Sequence, residues 1–214
     1  MGRVDFRKLP KVAILDLSEK NQLIYSLFSY YVWDRGVVRS GRDWDEEYDI
    51  LLDNRGVVED AVADGLDKEL RDAGLDGVAV AAEFRGGWLV IYGGRDFVSK
   101  IDVVDYYMHI DPMNELRRPI LNHFDHGVVF SVEDQEEFMD EAWDEFLKEH
   151  SDMSAEEIIK GDDIVYDWME KYFDKELDKT GIDWVVLELE GGGNWEILWR
   201  GSEVIDKLDP FKWL

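Results

Sequence analysis

Residues Asp67 to Gly94 recur 107 positions later as Asp174 to Gly201, with no gap. The copies read DKELRDAGLDGVAVAAEFRGGWLVIYGG and DKELDKTGIDWVVLELEGGGNWEILWRG. They share eleven identical positions, including the whole DKEL, the Gly74/Gly181 pair and the Trp88/Trp195 pair. The chain has 214 residues, so the offset is half its length. Self-similarity at a fixed offset means that one supersecondary unit is built more than once.

The match extends upstream: Val57-Val58 fall on Ile164-Val165 and Asp60 on Asp167. Val57, Val58, Ala61, Val62, Leu66 and Leu70 recur at helical spacing. In the second copy Ile164, Val165, Trp168, Met169, Tyr172, Phe173 and Leu177 take the same stripe. Each set predicts a helix apolar on one face. Gly74 and Gly181 follow the last apolar turn, where a glycine at positive φ closes a helix. Val78-Ala79-Val80 and Val185-Val186-Leu187 then read as strands, followed by turns at Arg85-Gly86-Gly87 and Gly191-Gly192-Gly193-Asn194. Returning strands run from Trp88 to Tyr92 and from Trp195 to Trp199. The expected fold class is therefore α+β: two tandem related units, residues 1–107 and 108–214, each with helices packed on a small antiparallel hairpin or sheet.

Neither glycine-rich turn has dinucleotide-binding spacing or a lysine followed by Ser or Thr. The glycines join two strands rather than a strand to a helix N-terminus, so no amide cradle for phosphate forms. The turns are read as hairpin turns.

Apolar residues make up 45% of the chain and aromatics 13%, enough for a core. Cysteine is absent, which excludes disulfides and thiolate metal sites. No apolar run reaches membrane length, and the N-terminus lacks a hydrophobic signal core. Phe6 stands where myristoylation wants Ser or Thr. The expected location is cytoplasmic, in a host cell if the protein is viral.

The formal charge is −26. Residues 1–107 hold 21 acids and 14 bases, and residues 108–214 hold 29 and 10. From Glu133 to Asp183 there are 20 acids, five lysines and no arginine. Such a field repels DNA, RNA and anionic membranes and attracts basic surfaces.

Lys11 to Leu17 reads as a strand, and Ser18 as the cap of a helix reaching about Trp33. Pro112 to Phe124 reads as two short helical pieces limited by Pro119. Gly127-Val128-Val129 echoes Gly36-Val37-Val38, and Ser131 to His150 reads as a segment that the first copy lacks. Written as a helix, that segment buries Phe138, Ala142 and Phe146, with Met139 and Leu147 alongside. Glu133, Glu137, Asp140 and Asp144 then fall on one line, with side chains about 5–6 Å apart. A duplex backbone also carries charge at close, regular spacing. The ordinary alternative is the solvated face of an amphipathic helix. The candidate partner-binding residues are Glu133, Glu136, Glu137, Asp140, Glu141, Asp144, Glu145, Asp162 and Asp163. Trp44 and Trp213 are candidate aromatic contacts, whereas Trp88, Trp168, Trp195 and Trp199 are expected in the core.

His109, His123 and His126, beside Asp111 and Asp125, are weak candidates for a metal site. HExxH and deaminase signatures are absent, as are GxSxG and Cys–His pairings. No catalytic residue or cofactor is assigned. The composition resembles that of acidic inhibitors that imitate DNA, such as phage or mobile-element anti-restriction and anti-CRISPR proteins. The expected partner is the basic groove of a nucleic-acid-binding defence protein. The alternatives are a metal-dependent enzyme using the His109–His126 region, and an adaptor whose acidity serves solubility in salt, as in halophiles.

Overall fold

The computed structural model describes residues 4–39, 41–82, 87–110 and 120–213. Asp111, the segment 112–119 and the Arg85-Gly86 part of the first hairpin turn lie outside the described residues. The chain divides into two compact units. One comprises residues 11–125; the other comprises residues 126–214 together with residues 1–10.

In the unit of residues 11–125, β1 (Lys11–Leu15) leads into α1 (Leu17–Leu27), which continues as a π-helical stretch, Phe28–Trp33. Helices α2 (Trp44–Asp53) and α3 (Arg55–Ala73) follow, then β2 (Gly77–Ala81), β3 (Trp88–Tyr92), α4 (Gly93–Lys100) and α5 (Val103–His109). Strand β1 runs parallel to β2, with Val12 opposite Gly77. Strand β3 returns antiparallel, with Gly77 opposite Tyr92. The expected cap Ser18 is corrected to Asp16, whose side chain accepts from Glu19 N while the Glu19 carboxylate takes Asp16 N. This capping box settles two of the helix's orphan donors and starts the helix two residues earlier than the serine would. Leu23, Ile24 and Leu27 of α1 and Val58, Val62 and Leu66 of α3 are buried against Val78, Val80 and Ile91.

In the other unit, β4 (Asp125–Phe130) precedes α6 (Val132–Glu149), α7 (Ala155–Lys160) and α8 (Asp162–Leu177). Then come β5 (Trp184–Glu188), β6 (Trp195–Trp199), α9 (Arg200–Leu208) and a 3-10 turn, Pro210–Trp213. Pairing repeats that of the first unit: β4 runs parallel to β5 and β6 antiparallel to it. Phe130, Phe138 and Phe173 meet in one cluster at ring separations of 5.2–5.9 Å.

The expectation of two small antiparallel hairpin sheets is overturned. The strands are ordered β1-β2-β3-β6-β5-β4 in a closed mixed barrel. Each hairpin gains a parallel strand that the hairpin pattern does not announce.

The duplication is wider than the 107-residue match. Upstream of α3 the offset becomes 115. Asp16 and Glu19 of the first capping box fall on Ser131 and Asp134 of the second. Leu23, Ile24 and Leu27 fall on Phe138, Met139 and Ala142, all buried. The segment Ser131–His150 is therefore the counterpart of α1 and its π-helical stretch, not an addition. Gly127-Val128-Val129 is the counterpart of Val12-Ala13-Ile14, not of Gly36-Val37-Val38, since each triplet supplies the parallel strand. The same offset relates the 3-10 turn Phe6–Lys8 to the 3-10 turn Leu121–His123. Phe6 is buried in the core of the second unit and Leu121 in that of the first. Each copy's leading segment thus completes the other copy's core.

The retained DKEL and glycines have structural roles. Asp67 Oδ1 accepts from Gly94 N at 2.6 Å, and Asp174 Oδ1 from Gly201 N at 2.8 Å, so each aspartate holds the start of the helix after the hairpin. Glu69 and Glu176 are buried, bonded to the Tyr31 hydroxyl and the Lys179 ammonium. Gly74 and Gly181 close their helices at φ +70° and +69°, as the spacing predicts.

Candidate functional site

Helix α6 buries Phe138, Met139, Ala142, Trp143 and Phe146 and turns its other side to solvent. Leu147, placed with the buried stripe by the sequence pattern, is 44% exposed. Glu133, Asp140 and Asp144 are exposed and Glu137 half-buried, on a line that spans about 16 Å at the helical rise. Glu136 is exposed beside them. Among the described residues, none of these five carboxylates takes part in an ion pair.

Glu141 and Glu145 differ. Glu141 accepts the Tyr172 hydroxyl hydrogen at 2.7 Å, and Glu145 pairs with Lys148 at 2.7 Å. Further along α6, Glu149 accepts from Trp168 Nε1 at 2.9 Å. The Trp168 and Tyr172 rings stack at 4.9 Å and 11°. Sequence reasoning missed that this pair ties α8 to the acidic helix; their four-residue spacing was the available signal.

Asp162 and Asp163 are exposed in the first turn of α8. Their charges favour that position through the partial positive charge of a helix N-terminus. Glu156 and Glu157 hold the same place on α7. Glu157 lies below the ordinary carboxylate range because the Ser154 hydroxyl and backbone bond its charged form. The two lysines following in this stretch, Lys148 and Lys160, are each spent on a neighbour of their own helix. The unit containing these helices carries 27 acids and 11 bases, against 23 and 13 in the other.

The aromatic candidates separate. Trp44 is 45% exposed on α2, with its ring 6.5 Å from that of Tyr107. Trp213 packs against the second core and donates from Nε1 to Leu208 O at 3.0 Å, so it is no free anchor. The expected core tryptophans Trp88, Trp168 and Trp195 are only half-buried, and Trp199 is 43% exposed, edge-on to Trp184. Among the described residues, the one buried tryptophan is Trp143, donating to Pro210 O at 3.0 Å.

Beneath Trp44, Tyr107 stacks on Phe28 at 4.2 Å, accepts from Trp33 Nε1 at 3.1 Å and donates to Glu47 at 3.5 Å. Burial pushes the Tyr107 hydroxyl up to about 12. It also raises the Glu47 carboxyl above its ordinary value, against the pull of the Tyr107 bond. A raised carboxyl binds its proton more tightly folded than unfolded. Its contribution is therefore full below the unfolded pKa and is lost as pH rises through the folded one. Glu47→Gln should accordingly melt higher than the parent at pH 7, with the difference closing as pH falls below the carboxylate range. A melting series that shows the variant less stable at pH 7 would contradict this account.

His109 is exposed at the end of α5 and bonds Asp105 O at 2.7 Å through Nδ1; His123 is exposed and His126 half-buried. Among the described residues, no group of three or more His, Cys, Asp or Glu is placed to hold a metal ion. Among them, too, no helix is long and apolar enough to cross a membrane.

No protein-family model matches this chain, and neither the curated proteins nor the solved structures contain a significant match to it.

Proposed function

We propose that this is an acidic binding protein that occupies the basic, nucleic-acid-binding groove of another protein, with carboxylates in place of phosphates. The reading has the character of a phage or mobile-element inhibitor of host defence, of the anti-restriction or anti-CRISPR kind. The observation that carries it is the solvent face of α6, where Glu133, Glu137, Asp140 and Asp144 stand in a row with Glu136 beside them, none of them in an ion pair among the described residues. Unpaired surface carboxylates repel one another by a few tenths of a kcal/mol per helical pair. A basic partner relieves that repulsion, and the field of a net −26 chain speeds its approach. The proposal gives the protein no direct contact with nucleic acid.

The test replaces Glu133, Glu137, Asp140 and Asp144 by Gln and Asn together. The control must avoid Asp43 and Glu46, because Asp43 caps α2 and Glu46 pairs with Arg39 and Arg42. Asp45, Asp49, Asp53 and Asp64 are exposed in the other unit and suit better. The parent and both variants are immobilised and exposed to host lysate at rising salt. The parent and the control should capture the same nucleic-acid-binding protein, and the α6 variant should lose it together with much of the salt dependence. Stability of the α6 variant should stay level or rise. Capture that survives the α6 exchange but fails after Trp44→Ala would sink the mimicry reading in favour of an aromatic anchor. A parent that folds only in molar salt would favour plain salt adaptation.

A further inference from the structure

The two copies share a feature that neither core uses. Downstream of the shift in offset, the match at 107 covers the last turn of α2, so that Leu51 falls on Ile158 and Leu52 on Ile159. Leu51 and Ile158 are buried. Leu52 and Ile159 are not, and neither are Val57 and Ile164, the next apolar pair at the same offset; these four are 40–65% exposed. The apolar pattern sets Val57 and Ile164 on the buried stripes of α3 and α8, and the structure turns both to solvent. Single exposed aliphatics are ordinary. The same two in both copies, at the junction of two helices, are not accounted for by either core.

In the first copy the exposed aliphatic belongs to a longer face. Trp44, Tyr48 and Leu52 follow one another at four-residue spacing along one side of α2, over about 12 Å at the helical rise. Trp44 and Leu52 are exposed and Tyr48 is half-buried. Trp44 is backed by a fixed stack: its ring lies against Tyr107, which is itself stacked on Phe28 and bonded to Trp33 and Glu47. A ring held in this way loses little freedom on binding, and tryptophan is among the commonest interface anchors. The adjoining line of α2 is Asp45, Asp49 and Asp53, all exposed and none in an ion pair among the described residues. The second copy lacks the two rings, because α7 begins only at Ala155, the counterpart of Tyr48.

We infer that this face of α2 docks a basic amphipathic helix of a partner protein. The apolar side of that helix lies on Trp44, Tyr48 and Leu52, and its lysines or arginines lie beside Asp45, Asp49 and Asp53. Charge selects this occupant. A second copy would bring another chain of net charge −26 against three unpaired carboxylates, and an anionic membrane would be repelled likewise. The apolar stripe alone would accept any amphipathic helix. The acid line beside it favours one with positive flanks and rejects one with negative flanks. The face lies in the unit of residues 11–125, and the inference does not rest on the reading of α6.

The probe is a fluorescein-labelled helical peptide of leucine and lysine, about four turns long, with its leucines three and four residues apart. One control peptide has alanine for every leucine; another has glutamate for every lysine. At physiological ionic strength the full chain should bind the leucine–lysine peptide saturably in an anisotropy titration, and both controls at least about tenfold more weakly. Amide-detected NMR should place the shifts on α2 and Val57, including the Trp44 indole N–H. Trp44→Ala should weaken the peptide about tenfold, the loss of one anchor, and Leu52→Ser should weaken it as well. Exchanging Asp45, Asp49 and Asp53 for Asn should weaken it and flatten its salt dependence, whereas the four-residue α6 exchange should leave it within about twofold. Leu52 is exposed, so Leu52→Ser carries the test if Trp44→Ala unfolds. Shifts centred on α6, an alanine peptide that binds as tightly as the leucine one, or folded Trp44 and Leu52 variants that bind like the parent would overturn the assignment. So would a dimer of the parent that Leu52→Ser dissolves, since the occupant would then be a second copy.

Discussion

Truncating Phe6 to alanine is expected to destabilise the unit of residues 126–214 and 1–10 by about 3–5 kcal/mol, the cost of deleting a buried aromatic ring. Phe6 is 1% exposed, and its ring sits 5.5 Å from Phe130, 5.8 Å from Phe138 and 5.2 Å from Phe173. Those three rings come from a strand and two helices, so the vacated space cannot close by moving one side chain. The contacts with Phe138 and Phe173 are edge-on, a geometry that adds about 0.5–1.5 kcal/mol per aromatic pair beyond area burial. Against a total stability of about 5–15 kcal/mol this is a large share. Urea titration followed by tryptophans of the two units should show loss of stability reported by Trp143 and Trp168. A change below about 1 kcal/mol would mean that residues 1–10 are not part of that core.

Gly94→Ala is the second large effect. A Cβ at Gly94 would stand 1.9 Å from Ala63 O and 2.5 Å from Ala63 Cα, both backbone atoms of α3 that cannot rotate away. The first turn of α4 must then lift off α3, carrying the Asp67 bond to Gly94 N with it. Overpacking costs about 1–3 kcal/mol and occasionally more; with backbone on the receiving side, about 3 kcal/mol or above is expected here. The repeat supplies the comparison. At Gly201 the nearest atoms are Asp174 Oδ1 at 2.8 Å and Glu170 O at 2.9 Å, so the approach is looser by almost 1 Å and the closest atom belongs to a side chain, which can shift at the expense of its bond to Gly201 N. Gly201→Ala should therefore cost clearly less. Thermal melts of the two variants side by side decide it: equal losses would show that the tighter approach in the first copy is not what demands glycine.

The helix–hairpin unit was legible because its constraints are local. Glycine at positive φ after a helix, β-rich pairs around a turn and an apolar stripe each leave a mark within a few residues. The parallel strands were not legible as partners. Lys11–Leu15 meets Gly77–Ala81 across some sixty residues, and nothing in either segment names the other. The pairing of α1 with α6 escaped because the offset shifts by eight residues and hardly any identities survive; what survives is burial, Leu23 against Phe138 and Leu27 against Ala142. The acidic line on α6 was readable from spacing alone.

The exchange of leading segments between the copies bears on the order of synthesis. Residues 11–125 leave the ribosome with every described residue of their core already made, Leu121 included. Residues 1–10 emerge before them yet have no home until Phe130, Phe138 and Phe173 exist. The native partners of Phe6 are therefore made only after more than a hundred further residues are polymerised. An N-terminal fusion partner would be joined to a segment that packs with residues 126–214 rather than with the residues that follow it in sequence.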